Sequence, residues 1–102
     1  MYAVIRKFSN MRNVEEAGRR AEAGLAPILR QSPGFRGYYV VNAGNNGGAS
    51  ISLFESQEAA EQAQKKAMAW IGENLADLAG GEPEIIAGQV LVSATAQTGV
   101  GK

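Results

Sequence analysis

Apolar and polar positions along this chain follow two different periods, and the switches between them mark the elements. Over Tyr2 to Phe8 the period is two: Tyr2, Val4, Arg6 and Phe8 share one side, and Ala3, Ile5 and Lys7 share the other. Such alternation of β-type residues predicts a strand. From Val14 the spacing lengthens, and Val14, Ala17, Ala21, Leu25 and Ile28 form one helical stripe that runs to about Arg30. Asn13 is placed to cap this helix, with Glu15 and Glu16 at the positive end of its dipole. Pro27 falls inside the stripe, removes a donor and crowds the carbonyl of Ala23, which predicts a bend or an early end.

The period returns to two in Phe35 to Phe54, where two runs rich in Tyr, Val, Ile and Phe flank Gly44-Asn45-Asn46-Gly47-Gly48. Gly and Asn tolerate positive φ, so this reads as a hairpin. With all five residues in the loop and Ala43 opposite Ala49, Asn42 faces Ser50, Val40 faces Ser52 and Tyr38 faces Phe54. The opposite side then carries Phe35, Tyr39, Val41, Ile51 and Leu53, the more apolar set, expected beneath helices. Ser56 can cap a second helix from Gln57 to about Leu78, with Ala60, Ala63, Ala67, Ile71, Leu75 and Leu78 as its buried stripe. Gly80, Gly81 and Pro83 end it, and Ile85 to Ser93 alternates again as a last strand.

The order β-α-β-β-α-β with right-handed crossovers implies an α+β, ferredoxin-like fold: a four-stranded antiparallel sheet with two helices on one face. It occupies residues 1–94 as one domain, and the small and polar residues of 95–102 are expected to form a flexible C-terminal tail. Two helices cover only one side of such a sheet. The side expected to stay open holds Tyr2, Val4, Phe8, Tyr38, Val40, Phe54, Ile85 and Leu91, more apolar surface than a monomer leaves bare. A homodimer closed through that open face, a dimeric α+β barrel, is the economical cover. Arg6, Asn42, Ser50, Ser52, Gln89 and Ser93 alternate into the same side. They serve either as interface hydrogen-bonding groups or as polar hooks in an aromatic-walled pocket for a small molecule.

Composition removes most catalytic machinery. Without histidine there is no Ser-His-Asp or Cys-His nucleophile and no His-ligated zinc or haem. Without cysteine there is no disulfide framework, consistent with a cytoplasmic location. Ten basic and ten acidic residues cancel, which favours neither nucleic acid nor an anionic membrane as partner. The acidic residues are scattered, so no metal site stands out. The glycine-rich loop joins strand to strand and does not feed a helix, so it is no phosphate cradle.

The element order, the lead Pro33-Gly34-Phe35 into the second strand and the junction Ile51-Ser52-Leu53-Phe54-Glu55-Ser56-Gln57-Glu58-Ala59-Ala60 carry a resemblance. Over residues 1 to about 93 the chain resembles the dimeric α+β barrel superfamily, in particular the antibiotic biosynthesis monooxygenase group. The haem-degrading relatives use an Asn on the first strand, a Trp before the second helix and a His on that helix. This chain has Arg6 and Lys7, Phe54 and no His there, so the resemblance argues against haem degradation. Relatives that need no cofactor hold phenolic polyketides with Asn, Trp, Tyr and Arg, and leave an electron-rich carbanion to react with oxygen. The resemblance therefore implies no cofactor. The substrate-binding candidates are Arg6, Tyr38, Asn42, Ser52, Phe54, Trp70 and Gln89, with core packing the competing role for Trp70. No catalytic residue is assigned. Two functions are expected: binding of a small aromatic or polyketide-like metabolite with cofactor-free oxidation, or a non-catalytic structural, regulatory or accessory dimer whose barrel is filled by side chains.

Overall fold

A computed structural model describes residues 1–96 and contains strand β1 (Tyr2–Phe8), helix α1 (Val14–Arg20), a π-helical turn (Ala21–Leu25), helix α2 (Ala26–Arg30), strands β2 (Phe35–Gly44) and β3 (Gly47–Phe54), helix α3 (Gln57–Asn74) and strand β4 (Glu84–Gln89). The sheet order is β2-β3-β1-β4, and every neighbouring pair is antiparallel. This is the expected ferredoxin-like arrangement. The tail expected over 95–102 lies, from 97 onward, outside the described residues.

Both predicted caps are present. The Asn13 side chain accepts from the Glu16 amide at 3.0 Å, and Ser56 Oγ accepts from the Ala59 amide at 3.1 Å. Each satisfies one of the amides a helix start leaves without an intrahelical partner. Pro27 does not end the first helix. The chain widens into the π-helical turn just before it, with the Ala26 amide bonded to the Ala21 carbonyl, five residues back. One additional residue in that turn rotates α2 about the helix axis, so Leu29, fully sealed, takes the buried place expected for Ile28. The second helix stops at Asn74, before the expected Leu78. Leu75 and Leu78 nevertheless remain buried in the turn beyond its end. The last strand is likewise shorter, ending at Gln89, although the Val90 amide still bonds the Met1 carbonyl at 2.9 Å.

The hairpin loop is a two-residue turn, not five. Asn45 and Asn46 take φ of 50° and 61°, the paired left-handed conformation of the tight turn that matches strand twist. Gly44 thereby pairs with Gly47, and a bulge between Asn42 and Gly44 sets the register: Val40 opposes Ser50, and Tyr38 opposes Ser52. This is a slip of two from the expected pairing, which exchanges no faces, but a second irregularity between Phe35 and Gly37 sets Phe35 opposite Phe54 and so moves it from the side of Tyr39 and Val41, where it was expected, to the covered side.

Which face the helices cover is the reverse of the expectation. Gly48, Ser50, Ser52 and Phe54 are the buried positions of β3, and Val4 and Arg6 those of β1. Tyr39, Val41 and Ile86 stand 60%, 43% and 59% exposed on the uncovered side, together with half-buried Ile5, Ile51 and Leu53. Hydrophobicity identifies which side chains share a face, but the handedness of the crossovers decides which face receives the helices. Of the apolar residues expected on the open side, Val4 and Phe54 are core. Leu91 lies beyond the end of β4.

The core between sheet and helices is built largely from alanine and leucine. Ala60, Ala63, Ala67 and Ile71 of α3 meet Ala17, Ala21, Leu25 and Leu29 of the first helical run. The small side chains bring the helices close to the sheet, which leaves little room under them.

Candidate functional site

The site begins with a position that the core should not tolerate. Arg6, in the middle of the central strand β1, is 1% exposed. A buried guanidinium is stable only when its charge is paired and its five donors are used. Nη1 donates to Ser52 Oγ on the adjacent strand at 3.4 Å, a long bond, and Nη2 donates to Gln64 Oε1 on α3. Nε has no partner and no contact with solvent. None of the salt bridges among the described residues involves Arg6. Burial lowers its pKa, and the neighbouring Tyr38 phenol pulls it back up. An arginine nevertheless retains its charge in proteins. The same burial raises the Tyr38 pKa, while the guanidinium opposes the rise, so at neutral pH this phenol is a protonated donor.

The sheet brings Arg6, Ser52 and Tyr38 together. Tyr38 pairs with Ser52 across β2 and β3, and Ser50 pairs with Arg6 across β3 and β1. Phe54 comes next on the same face as a buried wall, edge-on to Phe35 with ring centres 6.0 Å apart. The other three candidates lie elsewhere. Asn42 is exposed near the hairpin tip, where its side chain accepts from the Gly44 amide at 3.0 Å and shapes the turn. Gln89 is exposed on the edge strand β4, opposite Tyr2. Trp70 packs over Gly24 in the π-helical turn, where even a methyl group on Gly24 would come within 2.7 Å of the indole. It serves to join the helices.

Three spaces adjoin this cluster, one of them an open groove of about 490 Å³ between the first helical run and β2, against Tyr38, Val40 and Asn42. Under α1 lies a cavity of about 30 Å³, bordered by Tyr38, Ser50, Leu25, Ile71 and Leu75. That is room for water, whereas pockets for drug-sized ligands run to roughly 300 Å³ or more. Between α3 and β4 lies an open groove of about 590 Å³ lined by Tyr2, Val4, Gln64, Ile85 and Ala87, with Glu58, Glu61 and Lys65 at its rim. Gln64 is the residue common to this groove and to Arg6. It was readable in principle: Gln64 comes four residues after Ala60 and three before Ala67, so it is a polar residue on an otherwise apolar stripe.

Among the described residues no His, Cys, Asp and Glu cluster could hold a metal ion, and no helix is long and apolar enough to cross a membrane. The sequence matches no family model. Nor does it match a curated protein. The fold is shared with several solved structures. A Nitrosomonas europaea protein of unknown function superposes with a TM-score of 0.74 at 18% identity, covering 93% of each chain. SnoaB, a cofactor-independent oxygenase from Streptomyces nogalater, superposes at 0.72 with 14% identity, covering 90% of this chain and 94% of its own. The ActVA-Orf6 monooxygenase of Streptomyces coelicolor, solved with the ligand nanaomycin D, superposes at 0.67 with 18% identity, covering 90% and 92%. At such identities the likeness is one of architecture: the chain has the ferredoxin-like α+β fold of antibiotic biosynthesis monooxygenase-like proteins.

Proposed function

We propose that the chain is a monooxygenase-like protein that binds a small aromatic molecule through an ionisable oxygen placed against Arg6, and that it works as a two-fold dimer closed over the open sheet face. One observation carries the ligand reading: a sealed guanidinium with an unused Nε and, among the described residues, no carboxylate paired with it. A group this costly to bury, with no counter-charge among the described residues, supports reading this position as a functional site. The dimer reading rests on the uncovered Ile5, Tyr39, Val41, Ile51, Leu53 and Ile86.

In the catalytic form of this reading, Arg6 stabilises the phenolate and so eases loss of its proton to water, there being no histidine to act as base. The electron-rich ring then reduces oxygen. One oxygen atom becomes a carbonyl on the ring carbon, and the other leaves as water with the displaced ring hydrogen and the phenolic proton, so that a phenol becomes a quinone. Tyr38, held protonated, donates to the bound oxygen.

The cavity of about 30 Å³ favours the second reading, a non-catalytic dimer with a filled interior. Oxygen uptake with naphthol, measured for the wild type and for Arg6→Gln, separates them. Uptake with quinone formation that is lost in Arg6→Gln supports the enzyme. Saturable naphthol binding that depends on Arg6 without turnover supports a binding protein. Absence of both establishes the structural dimer.

A further inference from the structure

On the helix-covered side the interior cavity and the groove between α3 and β4 are separate spaces that share no lining residue. The interior cavity borders Ser50 and Tyr38 but is too small for an aromatic ring, whereas the groove between α3 and β4 is large, open and bounded by Val4 and Ile85, the neighbours of Arg6 along and across the sheet. Gln64 stands between that groove and the guanidinium. It is half-buried, with its amide oxygen on Nη2, and its own amide nitrogen has no hydrogen-bond partner among the described residues. It therefore gives Arg6 an acceptor but no charge. A carboxylate there would form a closed ion pair; a neutral amide on a flexible side chain is exchangeable.

We infer that Gln64 is a displaceable gate on Arg6: its amide oxygen holds the acceptor position on Nη2 until the oxyanion of an incoming ligand takes it, and the ligand arrives along the α3–β4 groove. This rests on the reading that Arg6 binds an oxyanion, and it adds the route and the residue that yields. It also defines the ligand class as a flat apolar body with one carboxylate, phenolate or enolate oxygen. Tyr2, Val4, Ile85 and Ala87 suit the body, and behind Gln64 lies the buried Arg6 guanidinium, which has no carboxylate partner among the described residues. Glu58 and Glu61 at the rim, against Lys65 alone, disfavour ligands with several negative charges.

The test uses naphthoate and its uncharged counterpart naphthylmethanol as probes. Gln64→Glu, which places a carboxylate on Arg6, is expected to weaken naphthoate binding about tenfold or more, the scale of a charged hydrogen bond, and to leave naphthylmethanol unchanged. Gln64→Ala, which removes only a neutral competitor, is expected to bind naphthoate at least as tightly as the wild type. In the wild type, naphthoate should shift the Gln64 side-chain amide NMR signals together with those of the Arg6 guanidinium, a readout that needs no variant to fold. If Arg6→Gln loses naphthoate while Gln64→Glu binds it like the wild type, or if the Arg6 signals move and those of Gln64 do not, the gate is wrong and the Arg6 reading survives. If the wild type shows no saturable naphthoate binding, or Arg6→Gln binds it equally well, both fall together.

Discussion

Each face of the sheet carries something that a self-sufficient domain avoids. The side sealed beneath the helices contains Arg6, Ser50 and Ser52 among its fully buried positions, while the side without helices displays Tyr39, Val41, Ile51, Leu53 and Ile86. In a self-sufficient domain the covered face would hold no unpaired charge and the uncovered face would be polar. Here each face is incomplete in its own way, one with a charge that lacks a counter-ion and the other with apolar surface that lacks a cover. Both deficits point outside the single chain. On the proposed reading an anionic ligand meets the first and a second copy the other.

The open face offers the most severe way to break this contrast. Ile51 is central on β3, between β1 and β2, and pairs with Ile5 on one side and Tyr39 on the other. If a partner covers it, Ile51→Asp leaves an unpaired charge in a dry interface, a loss of about 3–5 kcal/mol. Sedimentation equilibrium should then report single subunits where the wild type reports pairs. A wild type that sediments as single subunits would show that the apolar face is left wet.

The covered face should answer in the opposite direction. Replacing Arg6 and its acceptor together, as Arg6→Met with Gln64→Leu, removes a desolvated charge without orphaning the amide, and such exchanges commonly stabilise by about 1–4 kcal/mol. The melting temperature is expected to rise while naphthoate binding disappears. A fall in stability would mean that Arg6 serves the fold and that its burial needs no ligand to explain it. A smaller effect tests the seam between the helices: Gly24→Ala pushes a methyl group into the Trp70 indole and should destabilise by about 1–3 kcal/mol, the range for overpacking.

How far the residues announced all this differed from feature to feature. The capping residues Asn13 and Ser56, the alanine stripe of α3 and the hairpin were legible because each depends on chemistry local to a few positions. Membership of a face was largely legible too, since alternation survives a slip of two, although the irregularity between Phe35 and Gly37 carried Phe35 to the covered side. What the alternation could not say was which face the helices take, because two apolar faces satisfy the same pattern and crossover handedness chooses between them. The short turn was hidden because Asn45 and Asn46 both had to adopt positive φ, less common for Asn than for Gly. Of the candidate site, Arg6, Tyr38, Ser52 and Phe54 converge, whereas Asn42, Trp70 and Gln89 were selected by residue type and stand apart. Gln64 escaped notice because a glutamine on a charged helix resembles solvated surface until its place on the stripe is counted.

The smallest expected effect sets two arginines side by side. Arg20 is the counterpart of Arg6 at the surface: it reaches Glu16 Oε2, Asp77 Oδ1 and the Asn74 carbonyl, each at 2.9 Å, and so ties α1 to the end of α3. Hydrogen bonds from Arg19 and Arg20 lower the Glu16 pKa, and the bond from Arg20 lowers that of Asp77. A carboxylate whose folded pKa is depressed adds stability that is present above its unfolded pKa and is lost as the pH falls through the folded one. Arg20→Met should therefore cost a little stability at neutral pH, and the gap from wild type should close on acidification below the ordinary carboxylate range. Arg6 pairs with no carboxylate among the described residues, so the shift produced by Arg6→Met with Gln64→Leu should keep its size over the same interval. Paired thermal melts at neutral and acid pH read both. A gap at position 6 that also closes in acid would reveal a carboxylate partner supplied in solution, and the charge beneath the helices would then be paired by the protein's own assembly, with no role left for a ligand.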